Sequence, residues 1–194
     1  PSMSVGKRSD ALRALHSPVN VAGGPGAISA GLRELGVEST LLVFNERPFE
    51  RGFDVNLELR DTSRARSIPF NLPKQLRALA WALPRFDVFH FHAGLTVAPE
   101  RLTLPLLRAR RKGVVFQSWG SDLRGRPASD VQYLRKAGAV IVGSYLTRRL
   151  APRGQWPDYD VVPPAIVLHD WEPSPVEPGD VLRVAHAPSK RKVK

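Results

Sequence analysis

The sequence predicts an α/β fold, a doubly wound and mostly parallel Rossmann-like sheet with helices on both faces. Three observations lead there. Apolar, β-branched runs alternate with helical patterns along most of the 194-residue chain. Two of these runs, Phe86–His92 and Val114–Ser118, are dense enough to be strands buried on both faces, as in a parallel sheet covered by helices. The first run passes into the first helical pattern through a glycine bend, Asn20-Val21-Ala22-Gly23-Gly24.

The elements follow in order. Leu12–His16 reads as a short strand. After the bend, Pro25 suits a first helical turn, where its fixed φ fits and its missing N–H has no partner to lose. Ile28, Leu32 and Leu35 recur at helical spacing and predict one apolar face, with Gly36 as the left-handed stop. Val37–Phe44 is the second strand, and Val55, Leu57 and Leu59 alternate as an edge strand would. Thr62–Phe70 reads as a loop, and Leu72, Leu76, Leu79 and Leu83 mark a helix closed by Pro84. After the strand Phe86–His92, Thr103 is placed to cap a helix with Pro105 in its first turn and Gly113 as its stop. After the strand Val114–Ser118 comes a loop, Trp119–Pro127, then a helix capped by Ser129 or Asp130 and running through Ala137. Ala139–Gly143 is a further strand, Ser144 caps a short helix to Leu150, and Tyr159–Val162 is a last short strand.

Domain organisation follows from a change in composition. Residues 1–170 form the Rossmann-like unit. Residues 171–180, with Pro173, Pro175 and Pro178, read as a linker. Residues 181–194 start a new apolar strand and read as the beginning of a second unit, which predicts that the sequence is a piece of something longer.

The formal charge of +11 attracts anionic partners without choosing among nucleic acid, lipid headgroups and phosphorylated small molecules. The chain has no cysteine, which removes disulfides and thiolate metal sites. It has no run of apolar residues long enough to span a bilayer, and its first residues lack the apolar core of a signal peptide, so the expected compartment is the cytoplasm. The cluster Arg108, Arg110, Arg111 and Lys112 reads as cations at a helix C-terminus, where the dipole favours them.

Ligands of open parallel sheets sit beyond the C-terminal ends of the strands. There the predicted strands deliver Ser17 and the Gly23–Gly24 bend, then His90, His92 and Gly94, then Trp119, Gly120, Ser121, Asp122 and Arg124, then Ser144. The two glycines leave a helix N-terminus bare, which favours an anion, most often a phosphate. His90 and His92 share a strand face as a His-x-His pair, but spacing places no third ligand, and no metal is assigned. Asp122 suits either the orienting of a substrate hydroxyl or the capping of its turn. Trp119 suits either stacking on a ring or closing the core. Asp158-Tyr159-Asp160 precedes a strand rather than following one, which argues against a metal–carboxylate pair. The chain lacks the Gly-x-x-x-x-Gly-Lys-Ser/Thr loop of P-loop NTPases. The bend is not Gly-x-Gly-x-x-Gly, and only Glu46 stands near the end of the second strand, which argues against a dinucleotide dehydrogenase.

Five segments in order resemble the N-terminal half of family 4 glycosyltransferases of the GT-B type. They are Gly23-Gly24 with the helix Ala27–Gly36, Asp87-Val88-Phe89-His90-Phe91-His92, Gly120-Ser121-Asp122-Leu123-Arg124, Ala137–Ser144, and Val161-Val162-Pro163-Pro164-Ala165-Ile166. The resemblance implies two Rossmann-like domains facing across a cleft, the first holding most of the acceptor site and the second the nucleotide-sugar. It implies sugar transfer with retention, without a metal held by an Asp-x-Asp pair. On this resemblance Asp122, Trp119 and His92 belong to the reacting centre. Gly23, Gly24 and Lys194 face the donor diphosphate, and Ser121, Arg124 and Ser144 line the acceptor cleft. Trp119 stands where the family usually has histidine. No cofactor is implied beyond the nucleotide-sugar as donor substrate. Expected partners are that donor, an acceptor, the missing donor domain and, through the Arg-rich face, an anionic membrane surface at the inner face, with no specific nucleic acid. The chain alone is then expected to be inactive. Two other classes stand beside this one: a non-catalytic module for polyanions or membrane surfaces, and a Rossmann-like NAD(P) enzyme.

Overall fold

The computed structural model describes residues 11–47, 52–120, 122–123, 126–144 and 159–165. Among these residues seven strands form one sheet: β1 (Arg13–Ser17), β2 (Glu38–Val43), β3 (Val55–Asn56), β4 (Val88–His92), β5 (Gly113–Ser118), β6 (Ala139–Val142) and β7 (Asp160–Val161). Their order is β3-β2-β1-β4-β5-β6-β7 and every pairing is parallel. This is the predicted α/β class. The order reverses once, between β1 and β4. There His16 lies opposite His90, and Leu15 opposite Phe89. The helices are α1 (Gly24–Glu34), α2 (Ile68–Ala82) and α3 (Glu100–Ala109), with a 3-10 segment over Ala128–Lys136. Among the described residues no helix is long and apolar enough to cross a membrane.

The core follows from strand alternation. On one face Leu15, Phe89, Phe91 and Phe116, all buried, meet Ala78, Leu79 and Ala82 of α2, Leu104 and Leu107 of α3, and Tyr133 and Leu134 of the 3-10 segment. Phe91 and Phe116 lie 5.3 Å apart between ring centroids, and Phe116 and Tyr133 4.8 Å apart. The N-terminal edge of the sheet is closed by ions. Arg13 donates to both carboxylate oxygens of Asp87, at 3.0 and 2.9 Å, and Lys112 approaches at 3.8 Å. The hydrogen bonds from Arg13 hold the Asp87 carboxyl below its ordinary value of 3.8, against a smaller opposing effect of burial.

Several local expectations are corrected. Helix α1 buries Gly24, Pro25 and Ser29 rather than an Ile28–Leu32–Leu35 stripe, and Leu35 is 80% exposed. The reason is the partner surface. The Ser29 and Ser39 hydroxyls meet at 2.7 Å, so α1 rides on β2 across small polar groups. Gly36 does close α1, at φ +83°, with Gly36 N–H donating to Arg33 C=O and Val37 N–H to Leu32 C=O. The loop expected over Thr62–Phe70 is shorter, because α2 begins at Ile68 with Pro69 in its first turn. Thr103 is not the cap of α3. The helix starts at Glu100, and the buried Thr103 hydroxyl donates back to Ala98 C=O at 2.9 Å. Nor is Gly113 its stop. Arg111 takes the left-handed position, at φ +52°, and repeats the Gly36 cap with bonds to Arg108 and Leu107. Gly113 instead opens β5 where Val88 comes close. Pro127, rather than Ser129 or Asp130, precedes the segment that ends at Lys136, and that segment is 3-10 rather than α-helical. The helix expected after Ser144, the linker over 171–180 and the strand over 181–187 lie outside the described residues.

Candidate functional site

The C-terminal edge of the sheet is built from β1, β4 and β5, on either side of the strand-order reversal. β1 ends in His16 and Ser17, β4 in His90 and His92, and β5 in Gln117 and Ser118. Alternation puts His16, His90 and His92 on one face, with Gln117 opposite His92. All of these side chains are buried, His16 and His92 completely. His16 Nδ1 and His92 Nε2 are 3.3 Å apart. Ring centroids are 4.9 Å apart for His16–His90 and 4.3 Å for His90–His92.

Burial keeps these imidazoles neutral. It pushes His16 down from 6.5 to about 3, helped by the repulsion its charged form would meet from a charged His90 and from Arg33. It pushes His90 down to about 4, with the Gln117 side chain opposing. It pushes His92 well below 6.5, helped by His90 and His16.

The loop after β5 closes over this cluster. Ser118 Oγ donates to Asp122 Oδ1 at 2.9 Å, and Trp119 N–H donates to the same oxygen at 3.0 Å. Gly120, at φ +94°, makes the turn. Asp122 therefore serves its turn with one oxygen and keeps the other free. The Trp119 ring sits 6.1 Å from that of His92. It rests on Gly24 at the start of α1, where a Cβ would overlap the indole. Gly24 is glycine because the tryptophan occupies its side-chain space.

The glycine bend is more fully bonded than its sequence suggests. Gly23 N–H donates to Asn20 C=O at 3.3 Å, Gly24 N–H to Val21 C=O, and Gly26 N–H to Asn20 Oδ1 at 3.0 Å; Pro25 has none. The bare amides expected at this helix N-terminus are thus engaged within the bend. Gly23, at φ +74°, keeps an open face, where a Cβ would meet nothing within 4 Å among the described residues.

Among the described residues, seven buried side-chain atoms have no hydrogen-bond partner: His16 Nε2, Ser17 Oγ, His90 Nε2, His92 Nδ1, Gln117 Oε1, Trp119 Nε1 and Asp122 Oδ2. All seven belong to the ends of β1, β4 and β5 or to the loop after β5. Buried polar groups are ordinarily satisfied, and each exception costs about 1–3 kcal/mol. These exceptions lie at the strand-order reversal, where open parallel sheets bind their ligands.

Of the residues singled out from sequence, the fold brings together His90, His92, Trp119, Gly24 and Asp122. Ser144 is exposed at the end of β6, one strand beyond β5. Ser121, Arg124 and Lys194 lie outside the described residues. Sequence reading missed His16. The available signal was that the first strand, like the fourth, ends in histidine. No protein-family model matches the chain, and no curated protein matches it.

Proposed function

We propose that the chain is the acceptor-side half of a retaining GT-B glycosyltransferase. The observation that carries this reading is the group of unpartnered buried polar atoms at the strand-order reversal of an all-parallel sheet. The five ordered segments that resemble family 4 enzymes support it from the sequence side. In this reading the acceptor hydroxyl is oriented by the free Oδ2 of Asp122. The donor diphosphate approaches the open face of Gly23, and the second lobe supplies further cations, Lys194 among them. The hydroxyl oxygen bonds to the anomeric carbon on the face the diphosphate leaves, the diphosphate departs with the bonding electrons, and the hydroxyl proton passes to it. Trp119 takes the place of the family's histidine and closes the floor of the cleft, so His92 acts beneath it rather than on the acceptor.

The test is transfer of labelled sugar from a panel of nucleotide-sugars by protein carrying both lobes. Activity that falls by about a hundredfold or more in Asp122→Asn supports the reading. Failure to bind any nucleoside diphosphate or nucleotide-sugar overturns it.

One observation favours a polyanion-binding module instead. A groove of about 940 Å³ on the N-terminal side of β5 is lined by Arg101, Arg108, Lys112, Arg135 and Lys136. Lys136 is engaged with Glu100 at 2.9 Å and Lys112 with Asp87 at 3.8 Å. Binding to anionic vesicles or nucleic acid that falls steeply with salt supports this second reading, and binding indifferent to salt removes it.

A further inference from the structure

Beneath Trp119, three imidazoles from two neighbouring strands meet, with no carboxylate in the group among the described residues. We propose that His16, His90 and His92 form a three-nitrogen site for a divalent cation of the zinc class, with a fourth position left for water.

The geometry is the first argument. The three residues can each offer one ring nitrogen such that all three lie within 4.8 Å of one another. Zinc–nitrogen bonds of about 2.0–2.1 Å at tetrahedral angles set ligand nitrogens about 3.3–3.4 Å apart. His16 Nδ1 and His92 Nε2 already stand at 3.3 Å. Bringing in the third nitrogen needs a small ring rotation, and the terminal torsion of histidine is soft.

The second argument is protonation. A metal ligand must be a neutral imidazole. Burial holds all three in that form at neutral pH. The third is donor supply. In the described structure His16 Nε2, His90 Nε2 and His92 Nδ1 have no partner, so the cluster is not a closed hydrogen-bonded network. A cation held by His16 Nδ1 and His92 Nε2 would take the place of the hydrogen bond between them, His90 brings an unpartnered Nε2, and Gln117, beside His90, is placed to orient that ring from outside. The donor set also fixes the class of ion. Three imidazoles without a carboxylate suit zinc, cobalt, nickel or copper and disfavour magnesium and calcium, which take oxygen ligands.

The site owes nothing to the glycosyltransferase reading, and its test reads bound metal rather than transfer. The purified chain is stripped with a chelator and titrated with Co²⁺. The expected result is one cobalt per chain, with the visible bands of a four-coordinate ion that zinc displaces. His16→Gln and His92→Gln each weaken binding by about a hundredfold or more, beyond the about 10–100-fold that loss of an outer partner costs. Replacing the two remaining histidines, His169 and His186, leaves it unchanged. Cobalt that fails to bind, or that binds equally well to His16→Gln, overturns the site. If those variants do not fold, nitrogen NMR of the wild-type histidine rings decides. Zinc shifts three ring systems if the site exists, and unshifted rings overturn it.

Discussion

On β4, Phe89 and Phe91 face one side of the sheet and His90 and His92 the other, and both sides are buried. The phenylalanine side is complete in itself. Its rings meet Phe116 and helix side chains that need only contact. The histidine side is equally shielded from water, yet three of its ring nitrogens lack partners. One strand thus carries a face whose chemistry is finished by folding and a face whose chemistry is not. Equal burial therefore does not mean equal role. An apolar side chain removed from water is at rest there, whereas a polar one without a partner points to a ligand.

The largest break in this comparison comes from the phenylalanine side. Phe91→Ala is expected to lower unfolding free energy by about 3–5 kcal/mol, read from urea unfolding at neutral pH. Phe116→Ala, in contact with it, should cost a similar amount and add less than fully in the double variant.

Acid comes next and acts on the other side. In the chelator-treated chain, imidazoles that are neutral when folded bind protons on unfolding below about pH 6.5. Stability is expected to fall as pH drops from about 6.5, by about 1.4 kcal/mol per pH unit for each imidazole. The fall ends for each at its folded value, about 4 for His90 and about 3 for His16. Asp87 has the same sign but a lower window. Its carboxylate stabilises the fold above about 3.8, and that stabilisation is lost as pH falls toward its depressed folded value. Asp87→Asn should make the acid profile shallower below about 3.8 and leave the onset near 6.5 in place, which pH-dependent urea titrations can separate.

A smaller effect tests the end of α3. Arg111 holds the left-handed position that Gly36 holds in α1. Arg111→Gly is expected to stabilise the chain by up to about 1 kcal/mol by thermal unfolding. Smallest of all, His92→Leu in the metal-free chain should change stability by less than about 1 kcal/mol. It removes the unpartnered Nδ1 of His92 but also the Nε2 that meets His16 Nδ1, so the gain and the loss offset. A loss as large as that of Phe91→Ala would show that the two faces do not differ in the way described.

Much of this fold was legible because strands buried on both faces announce themselves. The runs around Phe89 and Val114 need no partner to be recognised, and glycine at 36 marks its own helix end. Boundaries were less legible where a residue has two uses. Thr103 looks like a cap but sits inside its helix and bonds back to Ala98 ahead of it, and Arg111 adopts a conformation that sequence assigns to glycine. At the site, Asp122 and Trp119 were visible as loop residues, while the bonding within Asn20–Gly26 was not. The third imidazole was the least accessible of all. His16 stands 76 residues before His92, and only the placement of β1 beside β4 makes them neighbours.

The indole laid across Gly24 turns the site into its own optical reporter. Its emission is expected to respond to the imidazole 6.1 Å away, because a protonated ring or a paramagnetic ion at His92 would quench a neighbouring excited tryptophan. Events beneath the loop can therefore be followed in the unlabelled chain, with a Trp119→Phe companion to subtract the light of the other three tryptophans.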